Sequence, residues 1–147
     1  MSKITKTSLP TQSLLQAYLE PDDFLDCYRC ESASDVEQAS KQAMNFPFWV
    51  NWLMRIRNIA VMPFGLKTDM GDGETIGFFP IVARSHNEIV LGFDDKHLDF
   101  RISILTDGSH AYGATWVRRN NRLGRFYLAL IMPFHVLIMR NAIGRID

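Results

Sequence analysis

Apolar and polar positions alternate with a period of two in several short runs, and with a helical period in others. Over Asp23–Glu31 (DFLDCYRCE), Phe24, Asp26, Tyr28 and Cys30 would share one face of a strand, and Leu25, Cys27 and Arg29 the other. Ser34 and Glu37 have capping-box spacing and open a helix whose Val36, Ala39 and Ala43 fall on one side. Pro47 suits the first turn of a second helix. There Phe48, Trp49, Trp52, Leu53, Ile56 and Ala60 form the apolar stripe, Asn51, Arg55 and Asn58 the polar side, and Pro63 and Gly65 the stop. Residues Lys67–Glu74, polar with two glycines, read as a loop.

Four strand-like runs follow, Ile76–Arg84, Glu88–Asp94, His97–Thr106 and His110–Arg118, separated by two or three residues each. Breaks this short join antiparallel neighbours, because a parallel crossover needs a dozen or more residues. The chain closes on a helix from about Arg122 to Arg145, apolar on most sides and therefore expected to be covered on most sides, with Pro133 expected to kink it. The fold class expected is α+β: a curved antiparallel sheet wrapped around a long C-terminal helix, with two short helices after the first strand. Residues 1–147 read as a single domain whose first 22 residues are partly irregular.

That order resembles the helix-grip architecture of the START and polyketide-cyclase superfamily, which includes the birch-pollen allergens. The resemblance implies a cavity between sheet and helix. At the level of motifs, NEIVLGFDDKHLDFR (Asn87–Arg101) and LGRFYLALIMPFH (Leu123–His135), with WLMRIRN (Trp52–Asn58) and FGLK (Phe64–Lys67), resemble a small bacterial family known only as a domain of unknown function. That resemblance implies no activity and transfers no catalytic residue.

Composition narrows the function classes. Of 147 residues 47% are hydrophobic, and 16 basic residues balance 16 acidic ones. This fits a globular domain and gives no support to nucleic-acid binding, which usually shows a basic excess. Met1–Leu9 lacks the apolar run of a signal peptide, so the cytoplasm is the expected compartment. The most apolar run, Phe126–Met139, has 14 residues and contains His135, whereas a span needs about 20, so a core helix is expected and membrane insertion is not. Charge is uneven: residues 20–37 hold seven acids and one base, residues 111–147 six arginines and one acid. The two ends could neutralise each other, or the arginines could face an anionic partner.

The densest polar cluster runs from Asp94 to Arg101. On a strand Asp95, His97, Asp99, Arg101 and Ser103 point one way, and Leu98, Phe100, Ile102 and Ile104 the other. His97 beside Asp99 is a candidate acid–base pair. The simpler expectation is an outward charged face meeting solvent or cross-strand partners such as Glu88, and a third makes it a homodimer contact through Arg101. Cys27-x-x-Cys30 on a strand sends its thiols to opposite faces, and no second cysteine pair completes a metal site. His135 would need a partner in the apolar helix, either a ligand's polar group or a neighbour freed by the proline. Neither Asp94/Asp95 nor Asp69/Asp72 has a calcium-loop pattern, and no phosphate-binding or serine-hydrolase motif is present.

Three functions therefore stand at this level. The first is binding of an apolar or aromatic small molecule between sheet and helix, with Trp52, Phe100, Arg101, Tyr112, Trp116 and His135 as candidate contacts and no cofactor or metal. The second is a cofactorless enzyme using His97 and Asp99. The third is a homodimeric interaction module with a filled interior.

Overall fold

The meander implied by those short breaks forms the centre of the molecule. The structure, a computed structural model, describes residues 4–61, 75–76, 79–94 and 97–146. In chain order the elements are β1 (Thr5–Lys6), a 3-10 turn (Leu14–Ala17), β2 (Phe24–Glu31), α1 (Val36–Ala43), α2 (Phe48–Val61), β3 (Thr75–Ile76), β4 (Phe79–Arg84), β5 (Glu88–Asp94), β6 (Leu98–Thr106), β7 (His110–Arg119) and α3 (Arg122–Gly144). The strands form one antiparallel sheet in the order β1-β2-β7-β6-β5-β4-β3. With three helices and the long one last, the protein is α+β, with a curved open sheet in a helix-grip arrangement. The expected stop at Pro63 and Gly65, the loop 67–74 with Asp69 and Asp72, Asp95, and the FGLK segment lie outside the described residues.

Register sorts the side chains. Asp26 pairs with Thr115, Ile102 with Thr115, and Leu91 with Ile102, so these positions share one face. This inner face carries Tyr28, Ile89, Leu91, Ile102 and Ile104, all buried against α1 and α3 through Val36, Ala39, Ala43, Met139 and Ile143. Each such side chain contributes roughly 1.5–3 kcal/mol by leaving water. Two glycines let α3 sit close: a Cβ on Gly113 would lie 2.1 Å from Ile143 Cδ1, and one on Gly124 would lie 2.0 Å from the His97 carbonyl oxygen. Arg145, at the end of α3, donates from Nε to the Gln42 carbonyl at 3.1 Å and from a terminal nitrogen to the Ala43 carbonyl, closing the orphan end of α1.

The outer face has its own cover, which no pattern in the chain had suggested. The N-terminal segment crosses it, and Leu15, Tyr18 and Leu19 pack on Cys27, Val90, Ala114 and Trp116. The charged face expected to meet solvent is therefore partly roofed. The thiols do split as expected, Cys27 into this outer cluster and Cys30 into the inner one. The unequal charges also meet: Arg118 pairs with Glu20 and Asp23, and Arg119 and Arg125 with Asp22.

Three local expectations need correction. The cap of α1 is Asp35, whose carboxylate accepts from Gln38 N at 2.8 Å, not Ser34. A carboxylate is the stronger acceptor, and starting there keeps Val36 and Ala39 inward. The α2 stripe is covered only in part: Leu53 lines the space over the sheet, and Asn51 and Arg55 face outward as expected. Phe48, Trp52 and Ile56 are exposed by 75%, 51% and 55%, while Val50 is buried. Nor is α3 covered on most sides, since Phe126, Leu130, Phe134 and Leu137 are all at least half exposed. Apolar residues on all sides of a helix do not reveal which side the sheet takes.

Candidate functional site

Between the inner face, α2 and α3 lies a cavity of about 350 Å³. That is within the range of small-molecule sites, at its lower end. Phe24, Phe100, Ile102, Thr115 and Val117 wall it from the sheet, Val50, Leu53, Met54 and Arg57 from α2, and Tyr127, Ile131, His135 and Ile138 from α3. Its mouth is marked by Ile56, Leu130 and Phe134, which line the cavity and are also exposed.

Few polar groups reach this space, and they fall in two places. Arg57 Nε donates to the Tyr127 hydroxyl at 2.8 Å, with the guanidinium 5.6 Å from the ring centroid. Deeper, His135 Nε2 lies 3.0 Å from Asp26 Oδ2, and both side chains are largely buried. With a carboxylate as partner, Nε2 carries the proton and donates it. Phe24 meets the imidazole edge-on at 5.8 Å. Beside this pair two buried atoms lack a hydrogen-bond partner, Asp26 Oδ1 and Thr115 Oγ1. They belong to residues directly opposite each other on β2 and β7. Leaving such atoms unmatched costs about 1–3 kcal/mol each.

Of the candidate contacts, Phe100 and His135 line the cavity. Trp52 does not; it projects from the solvent side of α2, edge-on to Phe48. Arg101, Tyr112 and Trp116 lie on the opposite face of the sheet. Their strand positions alternate with those of Phe100, Ala111 and Thr115, so one face excludes the other. Arg101 reaches Asp94 at 2.8 Å and stacks near the rings of Tyr18 and Trp116. His97 and Asp99 take different partners. The His97 ring meets the Asn121 side chain, which also caps α3 by accepting from Gly124 N at 2.9 Å, while Asp99 accepts from Asn120 Nδ2 at 3.2 Å. His97 thus helps seat the start of α3. His135 answers its need for a partner with Asp26 rather than with a backbone group near Pro133. Among the described residues no group of three or more His, Cys, Asp or Glu could hold a metal.

Asp26, Arg57, Thr115 and Tyr127 were not singled out from the chain. For Asp26 a signal existed: it shares a strand face with Phe24, Tyr28 and Cys30. An acid on the apolar side of a strand must find a partner.

The family described as "Protein of unknown function (DUF2867)" matches residues 19–142. The chain belongs to that family. No curated protein and no solved structure matches it. The match spans every element that builds the cavity, from β2 to α3.

Proposed function

We propose that this protein binds one small amphiphile, with an apolar or aromatic body and a single hydrogen-bonding group, in the cavity between sheet, α2 and α3. One observation carries the reading. In a cavity lined mostly by apolar side chains, Thr115 carries a buried hydroxyl oxygen with no partner, and His135 on the same lining is held by Asp26, whose own Oδ1 is also unmatched. A ligand hydroxyl or amide that met the Thr115 hydroxyl and the His135 ring would relieve that mismatch, while its body replaced empty apolar space. The resemblance to the helix-grip superfamily, in which such cavities are common, supports the same reading.

Native mass spectrometry of gently purified protein tests this directly, and bound mass in addition to the chain is the expected result. A dansyl-labelled fatty acid serves as a probe in solution. Ile131→Trp, which fills the cavity from α3, should abolish probe uptake. An adduct-free protein, together with equal probe binding by wild type and Ile131→Trp, refutes the proposal.

A further inference from the structure

We infer that the mouth of the cavity is a docking face for an anionic membrane surface. Among the described residues nine large apolar side chains are exposed, and seven lie on α2 and α3: Phe48, Trp52, Ile56, Phe126, Leu130, Phe134 and Leu137. On α2 they recur every four residues, and on α3 they follow the same helical spacing, so each helix presents one stripe. The stripes meet, because Ile56, Leu130 and Phe134 all border the same cavity. Clustering of this kind on a surface that has its own core marks an interaction site.

Charge selects the occupant. Neither α2 nor α3 contains an acidic residue, and together they carry Arg55, Arg57, Arg122, Arg125 and Arg140. At about 100° per residue, Arg55 falls at the edge of the α2 stripe, and Arg122 and Arg140 fall together at the edge of the α3 stripe. Arg125 is engaged by Asp22 and Arg57 by Tyr127, whereas Arg55 and Arg122 form no ion pair among the described residues. A second copy docking stripe to stripe would place arginine edges against helices that contain no acid. Anionic headgroups supply the opposite sign, and acyl chains accept the phenyl, indole and leucyl side chains.

The docked helix lies on the bilayer and does not cross it. By length and hydropathy α3 could span, with 23 residues and a mean hydropathy of 1.6 over its most apolar window. Its other side, however, is held to the sheet by Leu128, Met139 and Ile143 and by the His135–Asp26 pair. Docking so oriented opens the cavity toward the acyl chains, which gives an amphiphile a route in or out without crossing water. That last step rests on the proposed ligand reading; the docking itself does not.

The test is sedimentation of the full chain with phosphatidylserine-rich and with pure phosphatidylcholine vesicles. We expect binding to the first, weakened by salt. Phe126→Glu/Leu137→Glu should lose at least about tenfold in affinity. Arg122→Gln/Arg140→Gln should lose about fivefold per arginine. Trp52→Ser repeats the test on the other helix. None of these residues lines the cavity, so uptake of the dansyl-labelled fatty acid in lipid-free buffer should not change. Equal binding to both vesicle types overturns the anionic assignment. No binding to either, with a wild-type dimer that Phe126→Glu/Leu137→Glu converts to monomer, gives the face to a second copy and overturns the proposal. Docking without probe uptake sinks the ligand reading alone, and uptake without docking sinks the membrane reading alone.

Discussion

The two faces of the sheet hold their buried carboxylates on different terms. On the outer face Glu88, 1% exposed, accepts from the Ser13 hydroxyl at 2.7 Å, from Leu14 N at 2.8 Å and from the Ser103 hydroxyl. Trp116 Nε1 donates to Asp23 at 2.8 Å, and Arg118 reaches the same carboxylate. On the inner face the Asp26 and Thr115 oxygens stay unmatched beside a cavity. The polar-rich side is a latch that fastens the N-terminal segment, and the polar-poor side is the better candidate site.

This contrast can be broken in several places. The largest effect belongs to Trp116→Ala, which removes a side chain 1% exposed from the outer cluster. It should cost about 3–5 kcal/mol in denaturant unfolding, while probe affinity per folded molecule stays unchanged. Loss of probe binding in molecules shown to be folded would mean that the outer face holds the ligand. Glu88→Ala leaves the Ser13 and Ser103 hydroxyls and Leu14 N facing a gap, and should cost about 2–4 kcal/mol. Proteolysis should then reach the first 20 or so residues before the sheet, as expected of the least stable unit.

Acid should act on the same latch. Burial raises the Asp23 carboxyl, but hydrogen bonds from Arg118, Trp116 and the Glu20 N–H outweigh it and leave the group below its ordinary 3.8. A depressed folded value means that Asp23 stabilises the fold above 3.8 and that this contribution is lost as pH falls through the lowered value. The melting temperatures of wild type and Asp23→Asn should converge in that acid range and separate toward neutrality. A constant difference would show that Asp23 gives no pH-dependent support.

On the inner face the effects are smaller in stability and larger in binding. Thr115→Val removes an unmatched hydroxyl at nearly constant volume, so stability should change by less than about 1 kcal/mol or rise. Probe affinity should fall about fivefold if the hydroxyl meets the ligand. The smallest effect is the absence of one. Burial, with the Asp26 charge second, pushes the Cys27 thiol up to about 12, and burial raises Cys30 as well. Neither should react with a thiol reagent at neutral pH in the folded protein. Rapid labelling of either would contradict its place in the sheet.

Much of the strand layout was legible in the chain. Alternation and short polar breaks located β2 and β5–β7 to within a residue or two, and the apolar run beyond Asn121 located α3. Those signals are local: a strand's two faces and a helix's period appear within a few residues. The candidate site was legible only in small part. Phe100 and His135 were identified as cavity contacts, and both line the cavity. Arg101, Tyr112 and Trp116 were chosen for chemistry, although each occupies the opposite parity from Phe100 or Thr115, and on a strand parity outranks chemistry.

What lies close in sequence and what lies far apart divide the account. Strand alternation, the helical period and the opposite placement of Cys27 and Cys30 follow from backbone geometry acting over a few residues, and the chain states them. The sides of α2 and α3 that face the sheet, the meeting of Asp26 with His135 across 109 residues, and the roofing of Glu88 by Ser13 across 75 depend on partners distant in the chain. An apolar helix can bury any of several sides. A lone acid can be satisfied by many donors. Packing all elements at once selects one combination, and it left both a cavity and a bare apolar rim around its mouth.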